Sequence, residues 1–270
     1  MKPAFYTTFH TMLAEKGAKE TARQTREYGF GSAEYYCDAV VGSSVIPDAA
    51  AAKEVRLALE NEGLYMACVS VAYDAIVCPD AEGVMQKYAE IAKELGSPFL
   101  HHTLLIHPVK EDGQSEIRRK LSLAADAAVR IANMADAYGL TCLYEDQGMY
   151  VNGVENFSVF FEAVKSRASN VGVCADLGNI LYSGEKPVPF LTRFVADTKH
   201  VHIKDCTTVN EGGARRIKNV PFGEGEVDIP ACLAVLKGAG YSGGYALELA
   251  PELSTDDGIS AALCYLSDKM

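Results

Sequence analysis

The chain has 270 residues, 49% of them hydrophobic and 23% charged, enough to bury a core and too evenly mixed for a disordered segment. Lys and Arg total 25 against 36 Asp and Glu, a formal charge of -11, which argues against a general electrostatic grip on phosphate backbones and so against a nucleic-acid partner. No run of about 18 apolar residues occurs, and the opening MKPAFYTTFHTM lacks a long apolar stretch, so the expectation is a cytoplasmic protein with no membrane partner.

Taken in chain order, short apolar runs rich in β-branched, aromatic or small residues predict strands over 3–9, 31–37, 64–72, 98–104, 140–145, 171–176, 200–205 and 244–249. Helix-period segments lie between them. The clearest are Leu121, Ala124, Ala125, Ala128, Ala132 and Ala135, and later Ile229, Cys232, Leu233 and Leu236, each set placing one apolar stripe toward a sheet. Gly29, Gly63, Gly96, Gly139 and Gly240 each close a helical pattern, where a left-handed backbone costs Gly least. The glycine- and charge-rich insert 207–227 reads as a loop on the face that carries the strand ends, and His107, before Pro108, as an exposed loop residue. Eight β-then-α units in 270 residues predict an α/β fold, a (β/α)8 TIM barrel occupying 1–270 as a single domain. A doubly wound sheet would carry a G-x-G-x-x-G turn after its first strand, and none follows Phe9. The cysteines (Cys37, Cys68, Cys78, Cys142, Cys174, Cys206, Cys232 and Cys264) form no C-x-x-C pair and mostly sit in apolar runs, which predicts buried reduced thiols.

In such a barrel the active site lies where the strands end, so polar residues at those ends carry information. Glu145 ends the fifth strand, Asp176 the sixth and Glu248 the eighth, with His202 inside the seventh. A carboxylate closing an apolar strand loses water unless a cation or a hydrogen bond replaces it. Singly, each residue has an ordinary structural explanation: Glu145 paired with Lys204, Asp176 capping the following turn, His202 bonded to a backbone carbonyl. Four adjacent strands ending this way point instead to one shared cation. Three carboxylates and an imidazole suit Mn(II) first, then Mg(II), Co(II) or Zn(II).

The blocks VGVCADLG (171–178), HVHIKD (200–205), PFGEGEVD (221–228) and GYSGGYALE (240–248) resemble the xylose isomerase-like superfamily of sugar phosphate isomerases and epimerases. The resemblance is carried by residues 140–250 and, before them, by the βα rhythm. It implies a TIM barrel whose divalent metal is held by Glu145, Asp176, His202 and Glu248. It also implies a small carbohydrate substrate flanked by the two glutamates. Elementary chemistry agrees: a cation on a ketone oxygen stabilises the developing enediolate and so acidifies the neighbouring C–H, and Glu145 and Glu248 could remove and return the proton. Barrels of this kind resemble dimers or tetramers, so a homo-oligomer is an expectation.

Where many members have Asp-x-x-His after strand six, this chain has Asp176-Leu177-Gly178-Asn179, so an imidazole is replaced by an amide that can donate a hydrogen bond but not act as a comparable base. The arginine that ketose 3-epimerases carry after the strand-seven histidine is not apparent, since Thr207, Thr208 and Val209 occupy that stretch. No phosphate-cradling motif marks the substrate as phosphorylated. An apurinic-site endonuclease would need several more histidines, and His101 and His102 are the spare pair, of which alternation lets one face the barrel interior. Those two, Gln147, Asn179, Lys204, Glu34 and His10 are weaker substrate-contact candidates. For Lys204 an ion pair with Glu145 or Asp205 is the plain alternative, and for Glu34 a bond within the barrel. The expected function is a metal-dependent isomerase or epimerase of a small sugar or polyol derivative. A lyase resembling inosose dehydratase on the same metal site, or a non-catalytic sugar-binding barrel, are the alternatives.

Overall fold

The computed structural model describes residues 2–39, 44–76, 80–104, 113–148, 150–211 and 214–270; Cys78 and His107 lie outside them. The elements are β1 (Ala4–Phe5), α1 (Phe9–Tyr28), β2 (Ser32–Asp38), α2 (Ala49–Asn61), β3 (Met66–Ala72), α3 (Ala81–Leu95), β4 (Phe99–His102), α4 (Gln114–Asp136), β5 (Thr141–Glu145) and α5 (Val154–Lys165). After these come β6 (Val171–Asp176), a 3-10 turn (Asn179–Ser183), α6 (Pro187–Phe194), β7 (Thr198–Ile203), β8 (Cys206–Glu211), β9 (Ala214–Asn219), α7 (Ile229–Gly238), β10 (Gly244–Leu247) and α8 (Asp256–Ser267). Among the described residues, β1 to β7 and β10 close a parallel barrel, with β1 paired to both β2 and β10.

The predicted stripes face the barrel: Leu121, Ala124, Ala125, Ala128, Ala132 and Ala135 of α4 are buried, as are Ile229, Cys232, Leu233 and Leu236 of α7. Small residues let α4 lie close to the strands, while α5 and α6 fill their sector with Phe157, Phe160, Phe161, Phe190 and Phe194 in mutual ring contact. The five junction glycines all take positive φ. No disulfide forms among the described residues, where Cys37, Cys68, Cys142, Cys174, Cys206 and Cys232 are buried thiols and Cys264 is exposed. No described helix is long and apolar enough to cross a membrane.

Two predicted elements differ. The first strand shrinks from 3–9 to Ala4–Phe5, because the side chain of Thr7 takes over the ladder: its Oγ1 accepts the Leu249 N–H at 2.8 Å and donates to Leu247 O at 3.4 Å, freeing the backbone to enter α1. The insert read as a loop contains an antiparallel ribbon, β8 on β9, in which Thr207, Thr208 and Val209 lie opposite Lys218, Ile217 and Arg216. Its β-branched residues favour extended backbone, and β9 packs on the 3-10 turn that follows β6.

Asp205 organises the rest of that insert. Its Oδ2 accepts the N–H groups of Gly223 and Gly225 at 2.8 and 3.1 Å, and its Oδ1 accepts that of Val227 at 3.3 Å. The approach is close enough that a Cβ on residue 225 would sit 2.0 Å from Oδ1, which explains the glycine there. On the opposite side of β4 from the barrel interior, His102 is buried edge-to-face against Tyr144, with ring centroids 5.3 Å apart. Burial, aided by His101, pushes its pKa down to about 3.

Asp205→Ala should cost about 2–4 kcal/mol, the scale for stranding charge-assisted N–H donors, read as a lower urea midpoint with an unchanged far-UV spectrum. An unchanged midpoint would contradict the role given to this carboxylate. For His102 the sign follows from its depressed folded pKa: the unfolded chain takes up the proton first, so stability is full above pH ~6.5 and falls as pH drops toward 3, by at most about 1.4 kcal/mol per unit. His102→Gln should therefore lose less stability than wild type between pH 7 and pH 5; parallel curves would contradict this.

Candidate functional site

The parallel strands bring the four residues together at the end of the barrel. Asp176 lies beside His202 and His202 beside Ala246, two residues before Glu248, while Glu145 lies beside Cys174, two residues before Asp176. Glu248 follows β10 and is tied to β7 by its N–H to Ile203 O at 3.0 Å. His202 Nδ1 is buried without an aligned hydrogen-bond partner and lies 3.3 Å from Glu248 Oε2, 3.9 Å from Glu145 Oε2 and 4.0 Å from Asp176 Oδ2. The Glu248 side chain is 22% exposed and the other three are buried, so the cluster opens to solvent on the Glu248 side.

Asp176 is split between two tasks. Its Oδ1 accepts the N–H groups of Gly178 and Asn179 at 2.7 and 2.8 Å, capping the turn as the ordinary explanation supposed. Its buried Oδ2 faces His202 and makes no aligned hydrogen bond, lying 3.2 Å from Lys204 Nζ. Lys204 also reaches Glu248 Oε1 at 2.5 Å and donates to Asn179 Oδ1 at 3.1 Å. The pairing of Lys204 with Glu145 or Asp205 is not what forms. Asn179 Nδ2 occupies Glu145 Oε1 at 2.5 Å, and Asp205 is engaged with its loop.

The electrostatics follow from burial and this pairing. Burial, with repulsion from Glu248 and Glu145, outweighs Lys204 and pushes the Asp176 carboxyl up to about 7. Burial also raises Glu248, but Lys204 and His202 outweigh it and hold that carboxyl well below its usual range. Glu145 is lowered too, as hydrogen bonding and charge from His101 overcome burial. Burial disfavours charge on Lys204, yet Asp176, Glu248 and Glu145 keep it an ammonium.

Beneath this cluster lies a hydrogen-bonded layer. Glu34 is fully buried in the barrel; its Oε1 accepts from Ser70 Oγ at 2.5 Å and His202 Nε2 at 3.0 Å, and its Oε2 from His200 Nε2 at 2.7 Å. Ser70 Oγ is 2.9 Å from His101 Nδ1, and His101 Nε2 is 3.1 Å from Glu145 Oε2. Tyr6 stacks on His202 with centroids 4.8 Å apart. Asp146 accepts the Asp176 N–H at 3.0 Å, and burial together with Asp176 and Glu145 pushes its carboxyl well above the usual range.

The sequence candidates therefore separate. Glu145, Asp176, His202, Glu248, Lys204 and Asn179 converge; His101 joins them through Glu145, and His102 faces away, as alternation requires. Glu34 is bonded within the barrel rather than open to a substrate. Gln147 lines a cavity of about 10 Å³ with His101, His102 and Glu145, room for roughly one water. His10 is half-buried, tilted on Tyr36 at 5.4 Å, its pKa lowered by burial. His200, Ser70, Tyr6 and Asp146 escaped the sequence reading. The His-x-His spacing would have put His200 on the face of His202, whereas nothing distinguishes Ser70 from any strand serine.

The donor set fits a divalent ion. His202 Nδ1 lies 3.3 to 4.0 Å from an oxygen of each of Glu248, Glu145 and Asp176, and atoms each bonded at about 2.1 Å to one ion can be up to ~4.2 Å apart. The carboxylates of Glu145, Asp176 and Glu248 face this point beside the Lys204 ammonium, an oxygen-rich donor set suited to a divalent ion. A second group, Glu34, His101 and His202, is also near enough, but its facing atoms are already committed to hydrogen bonds.

Three solved structures share this architecture. The IOLI protein with a bound zinc atom superposes with a TM-score of 0.75 at 19% identity, covering 99% of this chain and 97% of that one. D-allulose 3-epimerase from Methylomonas sp. gives 0.75 at 16% identity over 100% and 98%, and a xylose isomerase-like TIM barrel protein from Mycobacterium smegmatis in complex with magnesium gives 0.71 at 17% over 98% and 95%. These likenesses show the fold. Among curated proteins, a 62-residue stretch, 23% of this chain, is 42% identical to the L-ribulose-5-phosphate 3-epimerases of Escherichia coli and Salmonella paratyphi C. That match spans a fifth (20%) of those relatives' length. The family described as Xylose isomerase-like TIM barrel matches residues 22–266, and with the closed barrel on the page the chain belongs to that family.

Proposed function

We propose that this protein is a divalent-metal-dependent isomerase or epimerase of a small ketose or polyol derivative, moving a proton through an enediolate between Glu145 and Glu248. The observation that carries the reading is the convergence of the Glu248, Glu145 and Asp176 carboxyl groups on the buried His202 Nδ1, at 3.3, 3.9 and 4.0 Å, a crowding of like-charged groups that a cation would relieve. Glu145, Asp176, His202 and Glu248 would hold the ion, with Mn(II) first. Bound there, a divalent ion supplies Lewis acidity toward a substrate carbonyl oxygen. The likeness of one segment to L-ribulose-5-phosphate 3-epimerases supports a ketose as the substrate class.

The chain's own groups divide the remaining work. Glu145 Oε1 accepts from Asn179 Nδ2 and its Oε2 lies 3.1 Å from His101 Nε2, so its carboxylate is placed to take a proton from a carbon beside the carbonyl. Glu248 is ionised and oriented by Lys204, on the open side of the cluster, where it can serve the opposite face. Asn179 and Lys204 remain hydrogen-bond donors beside the carboxylates. The cytoplasm is the proposed compartment, consistent with the free thiols.

The protein purified without chelator should carry about one equivalent of a divalent ion by elemental analysis, lost in His202→Ala and Asp176→Ala. With L-ribulose 5-phosphate, free ketoses and inososes as probes in deuterated water, the true substrate should return with deuterium at one carbon. Glu145→Gln and Glu248→Gln should each lower that exchange by roughly 10²–10⁴ fold. Loss of water from the probe would transfer the site to a lyase. Tight sugar binding without exchange would make it a binding barrel.

A further inference from the structure

We propose that Glu34 is the positioning residue of this site. From β2 it decides which nitrogen of His202 faces Glu145, Asp176 and Glu248, and through Ser70 it holds the His101 ring against Glu145. The inference rests on the metal reading above for its consequence, and on the hydrogen-bond geometry alone for its substance.

Glu34 touches no substrate-facing space and has no Lys or Arg among its partners. It is 0% exposed, and its carboxylate is satisfied by Ser70, His202 and His200. Both oxygens are engaged, Oε1 twice and Oε2 once, so the group cannot turn without losing a buried bond. A carboxylate only accepts, so each imidazole must offer it an N–H. The Nε2–H of His202 is thereby consumed at 3.0 Å, and Nδ1 is the nitrogen left for the cluster. The other branch follows the same logic. Ser70 has one hydroxyl proton, which goes to Glu34, so its oxygen accepts the Nδ1–H of His101 at 2.9 Å and fixes the plane of a ring whose Nε2 lies 3.1 Å from Glu145 Oε2.

Reaching β7 from β2 means crossing the barrel interior past β1 and β10. The register puts Ala246 beside His202 and Ala4 beside Ala246, both buried. Two methyl groups at that level leave room for a carboxylate to span the gap.

Glu34→Gln keeps shape and changes donor count. A glutamine offers one acceptor oxygen and an NH₂ donor, so it cannot accept from both His200 and His202 in their present orientation. One ring must change the nitrogen it protonates or give up its bond. Carboxylate partners of ligating histidines typically account for roughly 10- to 100-fold in metal affinity, and a loss in that range is expected here.

The test uses ¹⁵N-histidine-labelled full-length protein, metal-free and loaded with zinc alone, with zinc affinity from calorimetry. The wild type should show slowly exchanging, downfield Nε2–H signals for both His200 and His202 in either form, and zinc should perturb Nδ1 of His202. Glu34→Gln should lose the His202 Nε2–H signal and bind zinc roughly 10–100 fold more weakly. Ser70→Ala should keep that signal while releasing His101. If Glu34→Gln does not fold, the wild-type spectra still decide: absence of the His202 Nε2–H signal, or zinc on Nε2, overturns the proposal. So does a folded Glu34→Gln with wild-type affinity and an intact signal. A wild type that binds no zinc but shows both Nε2–H signals would overturn the metal reading and leave the positioning role standing.

Discussion

A carboxylate removed from water must be given N–H donors, a cation or a proton, and the carboxyl end of this barrel uses all three within a few ångströms. Asp205 takes backbone N–H groups and so shapes the loop from Gly223 to Val227. Glu34 takes two imidazoles and a hydroxyl. Asp146, wedged against Asp176 and Glu145, is pushed toward holding a proton. Asp176 and Glu248 share the Lys204 ammonium, and with Glu145 they crowd three carboxyl groups around His202 Nδ1. That crowding is the feature on which the proposed chemistry rests.

The fold makes the arrangement cheap to specify. Parallel register places side chains from neighbouring strands at one height, and alternation sends every second residue inward. Thus His200 and His202 both point into the barrel, and Lys204, two residues further, leaves the strand on the same side, where it meets Asp176 and Glu248. The layers are vertically ordered: Glu34, Ser70 and His200 lie below, the carboxylate cluster above, and His202 belongs to both through its two nitrogens.

Much of this was legible in the sequence because it depends on period and position. Strand ends at Glu145 and Asp176, and the helix-closing glycines, are local features that tertiary packing had no reason to override. What escaped depends on pairs distant in sequence. Thr7 shortens the first strand by bonding to Leu247 and Leu249, and no window around residue 7 contains those partners. The β8–β9 ribbon was hidden by composition, since the insert 207–227, rich in Gly and charge, reads as a loop although Thr207, Thr208, Val209 and Ile217 favour extended backbone. Glu34 and Ser70 are separated by 36 residues and Glu34 and His202 by 168, so their joint role becomes visible once the barrel closes.

The amide at position 179 shows how one residue can constrain the proton inventory. Asn179 donates to Glu145 Oε1 and accepts from Lys204, which in turn holds Glu248, so a non-titrating group links the two glutamates assigned to proton transfer. An imidazole there could carry a proton between them or compete for it. An amide can orient both partners but store nothing. In the proposed reaction the mobile proton would then reside on the glutamates, on the groups that touch them from below or on the substrate, which makes the Glu34 layer a condition for keeping Glu145 and His202 in register with each other.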